Sequence, residues 1–330
     1  MVASGSETEE GEPMRRLIEL VTMSAMTLGL VAASGPAQAK VPGPNGQIAF
    51  ARSDPATGDD YTYTANPDGT HVEPLLPFGS QAPHWSPDGS LVAVGACADP
   101  PVCDTAAVIV NPDTRRYRVL TMPDPALFTG CLVWSPDARR LACEGQGQTD
   151  PSRNGIYTIR SADGGGLRRI TSNPGGDDIP IDYSPGGGQI VFNRTDPNRP
   201  GKPNQALFVV NLDGTGLNRI TPWGFSDDDG SWSPDGTQIA FEHRGSLFVV
   251  HPDGTGLAKI PLATAWFAGD FAWSPAGTKI VFLIGVHQTG PHAFQEGIAT
   301  ANADGSDVRQ VTNSPTFDHQ ADWGSHPLAS

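Results

Sequence analysis

The sequence predicts an all-β protein, a six-bladed β-propeller of four-stranded antiparallel blades. Three observations carry that expectation. An aromatic anchor recurs at Trp85, Trp134, Tyr183, Trp232, Trp273 and Trp323, at spacings of 49, 49, 49, 41 and 50 residues. The first five anchors open a turn-and-strand phrase: WSPDGSLVAV, WSPDARRLAC, YSPGGGQIVF, WSPDGTQIAF and WSPAGTKIVF. Asp-Gly recurs between anchors at 68–69, 163–164, 213–214, 253–254 and 304–305, with Asp113-Thr114 standing in once. A period in the forties with two hairpins per unit is the pattern of a propeller.

Taken in chain order, residues 1–13 (MVASGSETEEGEP) are acidic, and a different segment starts at Met14. It carries Arg15 and Arg16, an apolar stretch from Leu20 to Ala33, and Ala37-Gln38-Ala39 before Lys40. Those are the parts of a secretory signal. A membrane anchor is the other reading, but the apolar stretch falls short of the roughly 20 residues that span a bilayer. The expected organisation is a leader over 1–39, with the signal proper at 14–39, and one propeller domain over 40–330. The exported product, in periplasm or medium, is expected to be a monomer with no stable membrane insertion.

Within each unit, Pro and Asp-Gly make the turn between the aromatic strand and an apolar one. The runs IAF, LVAV, LAC and IVF are continuously apolar, as suits strands buried on both faces. The next hairpin is built on phrases such as LFVVNLDGTGLNRIT. The first unit opens with PNGQIAF and lacks an aromatic strand; the last aromatic strand, QADWG, lacks an apolar successor. Joined, they complete one unit and close the ring.

Composition narrows function. Charged residues make up only 17 %, with 39 Gly and 31 Pro, and the formal net charge is −15. A chain this acidic is unsuited to nucleic acid and favours cations or basic partners. Its four cysteines follow the signal, so disulfides are expected. Of the three possible connectivities, Cys97–Cys103 (one loop) and Cys131–Cys143 (flanking a hairpin turn) are preferred over four buried thiols.

These units resemble the repeats of TolB-type propellers, which read W-S-P-D-G-x-x-I-A-F followed by an Asp-Gly hairpin and Leu/Ile-Thr. The match is full at Trp85–Gly89 and Trp232–Gly236, partial at Trp134, Tyr183 and Trp273, and recurs at Ile170-Thr171, Ile220-Thr221 and Val311-Thr312. The resemblance covers about residues 44–326. The two-domain members carry an α/β domain ahead of the propeller, whereas only a few residues here separate the cleavage site from the first strand. The resemblance therefore implies a lone propeller. Peptidases with propellers add a hydrolase domain, and no G-x-S-x-G elbow occurs here. Oligogalacturonate lyases share this propeller type and use a metal held by His and Gln at the channel mouth.

The residues just before each anchor approach the channel mouth. Five before, the units give Ser80, Thr129, Asp178, Asp227, Ala268 and Asp318; four before, Gln81, Gly130, Ile179, Asp228, Gly269 and His319; three before, Ala82, Cys131, Pro180, Asp229, Asp270 and Gln320. Asp178, Asp227, Asp228, Asp229, Asp270, Asp318 and His319 are the candidate site. They read as solvated loop carboxylates, as a Ca²⁺ site centred on Asp227, Asp229 and Asp270, or as a polar funnel for a basic peptide. No nucleophile constellation or phosphate-binding loop accompanies them. A non-catalytic, exported binding scaffold is expected. The alternative is a metal-dependent glycan lyase or hydrolase using His287, His292 and His319.

Overall fold

The computed structural model describes residues 43–97, 105–121, 123–199, 204–225, 230–262, 267–287 and 294–330. They form six four-stranded antiparallel sheets. From the axis outward, blade 1 is β24 (Asp318–Trp323), β1 (Ile48–Ser53), β2 (Asp60–Ala65) and β3 (Glu73–Pro74). Blade 2 is β4 (Gln81–Trp85), β5 (Val92–Gly95), β6 (Thr105–Val110) and β7 (Tyr117–Thr121). Blade 3 is β8 (Leu127–Trp134), β9 (Arg140–Gly147), β10 (Gly155–Arg160) and β11 (Arg168–Arg169). Blade 4 is β12 (Asp178–Tyr183), β13 (Gln189–Thr195), β14 (Gln205–Asn211) and β15 (Asn218–Arg219). Blade 5 is β16 (Gly230–Trp232), β17 (Ile239–His243), β18 (Ser246–Val250) and β19 (Ala258–Lys259). Blade 6 is β20 (Phe267–Trp273), β21 (Lys279–His287), β22 (Phe294–Asn302) and β23 (Arg309–Gln310). The ring closes as the sequence predicts: β24 pairs with β1, placing Ile48 opposite Trp323. Among the described residues no helix is long and apolar enough to cross a membrane.

Each letter of the repeat has a physical task. The Ser after the anchor accepts the N–H five residues on: Leu91 to Ser86 (2.9 Å), Arg140 to Ser135 (2.9 Å), Gln238 to Ser233 (2.9 Å). Its own hydroxyl donates to the turn Asp in Ser86–Asp88, Ser135–Asp137 and Ser233–Asp235. The turn glycines take the left-handed conformation the turn needs, with φ of 73° at Gly236 and 69° at Gly277. In the Ile-Thr motif the Ile enters the core and the Thr hydroxyl caps a strand N–H, as in Ile156 to Thr171 and Leu207 to Thr221, both 2.9 Å. The core is a set of inter-blade clusters. One joins Val133 and Ile156 of blade 3 to Tyr183, Ile190 and Phe192 of blade 4.

The Asp-Gly hairpins make the fold acid-sensitive. Hydrogen bonds from the hydroxyls of Thr70, Thr215, Thr255 and Ser306, then from backbone N–H groups, hold Asp68, Asp213, Asp253 and Asp304 below the ordinary carboxylate value of 3.8. Asp235 is held down by the Ser233 hydroxyl against the opposing effect of burial. A carboxylate whose folded pKa is depressed contributes stability above its unfolded pKa and loses it as pH falls through the folded value. Thermal midpoints followed by circular dichroism should therefore stay level from neutral pH to about pH 5 and fall below about pH 4. A midpoint that rises on acidification would contradict this.

Cys131 and Cys143 face each other on β8 and β9 and are bonded, S–S 2.09 Å. Cys97 is also disulfide-bonded; its expected partner, Cys103, lies outside the described residues.

Candidate functional site

A propeller's innermost strands present one open edge each to the axis, and their N–H groups need acceptors. Here side chains of the preceding blade supply several. Asp270 Oδ2 accepts the Gln320 N–H (2.7 Å), and Gln320 Oε1 accepts the Ala82 N–H (2.9 Å), linking blades 6, 1 and 2. One level deeper, Asp322 Oδ2 accepts the Trp85 N–H (2.8 Å) and Asp182 Oδ2 the Trp232 N–H (2.9 Å). The upper latches depend on a backbone irregularity. Ala82, Asp270 and Gln320, each three before its anchor, adopt φ of 48°, 46° and 53°. The inner-strand pairings of blades 2 and 6 slip at the same point. Such a bulge re-aims side chains along the axis.

The inner strands enclose an axial cavity of about 330 Å³. Asp182, Asp270, Asp322 and Glu144 bring carboxylates to its lining, with His84, Gln320 and Ser231; among the described residues no Lys or Arg lines it. Trp85 and Trp134 close one side. The Trp134 indole donates to His84 O (3.0 Å), whereas the buried Trp85 indole N–H has no partner among the described residues. Near the cavity, burial and then the charge of Asp270 hold Glu296 of β22 above the ordinary carboxylate range, with His319 pulling the other way.

Of the seven candidates, Asp270 reaches the cavity. Asp178 and Asp318 do not. Both are buried in bidentate pairs within their own blades: Asp178 with Arg194 (2.7 and 2.7 Å), Asp318 with Arg52 (2.6 and 2.9 Å). The physical reason is register. Five before the anchor lies opposite the second residue after the apolar trio, which is Arg52 in IAFAR and Arg194 in IVFNR. The His319 ring stacks on Phe317 and meets Asp60 Oδ1 of β2 at 3.1 Å. Asp227, Asp228, Asp229 and His292 lie outside the described residues, as does the side chain of His287. Among the described residues, no group of three or more His, Cys, Asp or Glu is arranged to hold a metal ion. Sequence reasoning missed Asp182, Asp322 and Glu144. The signal was the Asp directly before the anchor in DYSP and DWG, since the inner strand runs on to the anchor itself.

The TolB beta propeller domain family matches residues 82–326. The chain belongs to that family. Solved structures with the same fold include TolB from Acinetobacter baumannii (17% identity, TM-score 0.62), covering 84% of this chain and 66% of that one. This chain thus spans just under two thirds of that protein. A putative TolB from Agrobacterium tumefaciens is 18% identical, TM-score 0.60, with 87% and 94% covered. An oligogalacturonate lyase in complex with manganese is 12% identical, TM-score 0.51, with 83% and 87% covered. At these identities the likeness is one of fold. No curated protein matches the chain by sequence.

Proposed function

We propose that this TolB-type propeller is an exported, non-catalytic scaffold whose acidic axial mouth binds a basic segment of a protein partner. The observation that carries the reading is the axial cavity, whose lining among the described residues has four carboxylates and no Lys or Arg. Its low-dielectric walls focus that negative field on an entering cation. The rigid latch carboxylates are positioned before any partner arrives, which limits the ordering cost of binding. Export is supported by the signal-like pattern of the sequence over 14–39 and by the Cys131–Cys143 disulfide, which suits an oxidising compartment. The same reading includes Ca²⁺ at Asp227, Asp229 and Asp270, whose oxygens are the ligands that ion prefers; titration of Asp227→Ala/Asp229→Ala with CaCl₂ tests it.

The test of the main reading uses a Lys-rich decapeptide and its Glu-rich counterpart in calorimetric titrations. Asp270→Asn/Glu144→Gln keeps the hydrogen-bonding atoms and removes two charges. Of the two peptides only the Lys-rich one should bind the wild type, and it should bind the variant about tenfold or more weakly at low salt. Equal affinity for the two proteins contradicts the reading.

A further inference from the structure

A second cavity, of about 380 Å³, lies at the seam between blade 1 and the segment entering β24 and shares no lining residue with the axial one. Arg52, Ser53, Asp54, Tyr61, Tyr63 and Thr316 contribute to its wall. Tyr61 and Tyr63 are two apart on β2, so both rings stand on one face, while the intervening Thr62 is buried on the other. The Tyr63 ring is fixed in advance: Phe50 stacks on it at 5.9 Å, and the Arg52 guanidinium lies over it at 4.8 Å. Neither phenol hydroxyl has a hydrogen-bond partner among the described residues. The pocket is therefore a pre-set aromatic surface edged with uncommitted hydroxyls.

Charge narrows the ligand. Arg52 is neutralised by Asp318, which takes its Nε and Nη2 hydrogen bonds. Asp54 adds a carboxylate to the wall, of which one oxygen holds the Ala56 N–H. An anionic ligand would meet this carboxylate with no uncompensated cation opposite. A wholly apolar ligand would strip water from the hydroxyls of Tyr61 and Tyr63 without replacing it. A ring with one C–H face and a hydroxylated edge satisfies both surfaces. We propose that this pocket is a subsite for a neutral pyranose of a glycan. Tyr61 presents ring carbon to the sugar's C–H face, beside the Tyr63 ring that Phe50 and Arg52 hold in place. The Asp54 carboxylate and the hydroxyls of Tyr61 and Tyr63 take its hydroxyl groups. This site is separate from the axial mouth and does not depend on it.

Saturation-transfer NMR and calorimetry with maltose, cellobiose and N,N′-diacetylchitobiose test the proposal, beside a Pro-rich decapeptide. At least one disaccharide should receive saturation and bind at millimolar concentration. Tyr61→Ala should weaken it about tenfold or more, with Tyr61→Phe in between, both at an unchanged melting temperature. Asp270→Asn/Glu144→Gln should leave it unaltered, so failure of the axial reading and failure of this one are distinguishable. The proposal is overturned by saturation of none of the three sugars, by equal binding to Tyr61→Ala, or by binding of the Pro-rich peptide alone.

Discussion

Replacing Asp178 with alanine is expected to lower the free energy of unfolding by about 3–5 kcal/mol. The carboxylate is 1% exposed and gathers four donors. Arg194 contributes two, the Thr171 hydroxyl one at 2.5 Å, and Asn173 Nδ2 one at 3.1 Å. The Arg194 guanidinium lies over the rings of Phe192 and Phe208, 5.4 Å from each, and has little solvent to turn to. Thr171 matters doubly, because it also caps the Ile156 N–H of β10 and so ties blade 3 to blade 4. The alanine variant leaves a buried cation without its counter-charge. Removing both partners should cost less, since a pair replaced by apolar side chains escapes its own desolvation. Urea unfolding of Asp178→Ala and of Asp178→Leu/Arg194→Met measures both. A single-variant loss below about 1 kcal/mol would show that the pair behaves as an exposed one.

Trp323→Ala is expected to cost a similar amount, about 3–5 kcal/mol, through the cavity it leaves. Its side chain is 1% exposed, packs in the cluster with Ile48 and Phe50, and donates from Nε1 to Gly46 O at 2.8 Å. Those residues come from the other end of the domain, so the substitution attacks ring closure itself. Deleting 318–330 should go further. It strips β1 of its inner partner and exposes an apolar strand edge, a template for self-association. Differential scanning calorimetry should show a lowered single transition for Trp323→Ala. The deletion should give aggregation without a cooperative transition. A deletion variant that melts cooperatively as a monomer would contradict closure by β24.

The repeat was legible because its letters act locally. Ser, Asp and Gly of WSPDG act inside a single turn: all three stand after Trp85 and Trp232, and the Ser with one of the other two stands after Trp134, Tyr183 and Trp273. The last copy, DWGSHP, reads as degraded, yet its departures follow from closing the ring. A Cβ at Gly324 would collide with the Trp85 ring, 2.4 Å from Cγ. His326 then stacks on the same indole at 5.2 Å. The inner-strand site was less legible. A left-handed residue three before the anchor shifts which side chains face the axis, and the positions that share it read Ala82, Asp270 and Gln320 with no common letter. The burial of Asp318 depended on Arg52, 266 residues away in the chain. Its carboxylate looked like surface chemistry until the strands were paired.

Where a partner touches the propeller is the most direct test of the scaffold account. A photo-reactive residue can be placed at Gln81, which is exposed at the start of β4 near the axial mouth, or at Leu217, which is exposed beside the outermost strand β15 of blade 4. The two proteins would then be irradiated in envelope extract and the adducts compared. The account predicts a discrete protein adduct from Gln81, lost on addition of the Lys-rich peptide, and none from Leu217. An adduct from Leu217 alone, or one from Gln81 that the peptide does not displace, would contradict it.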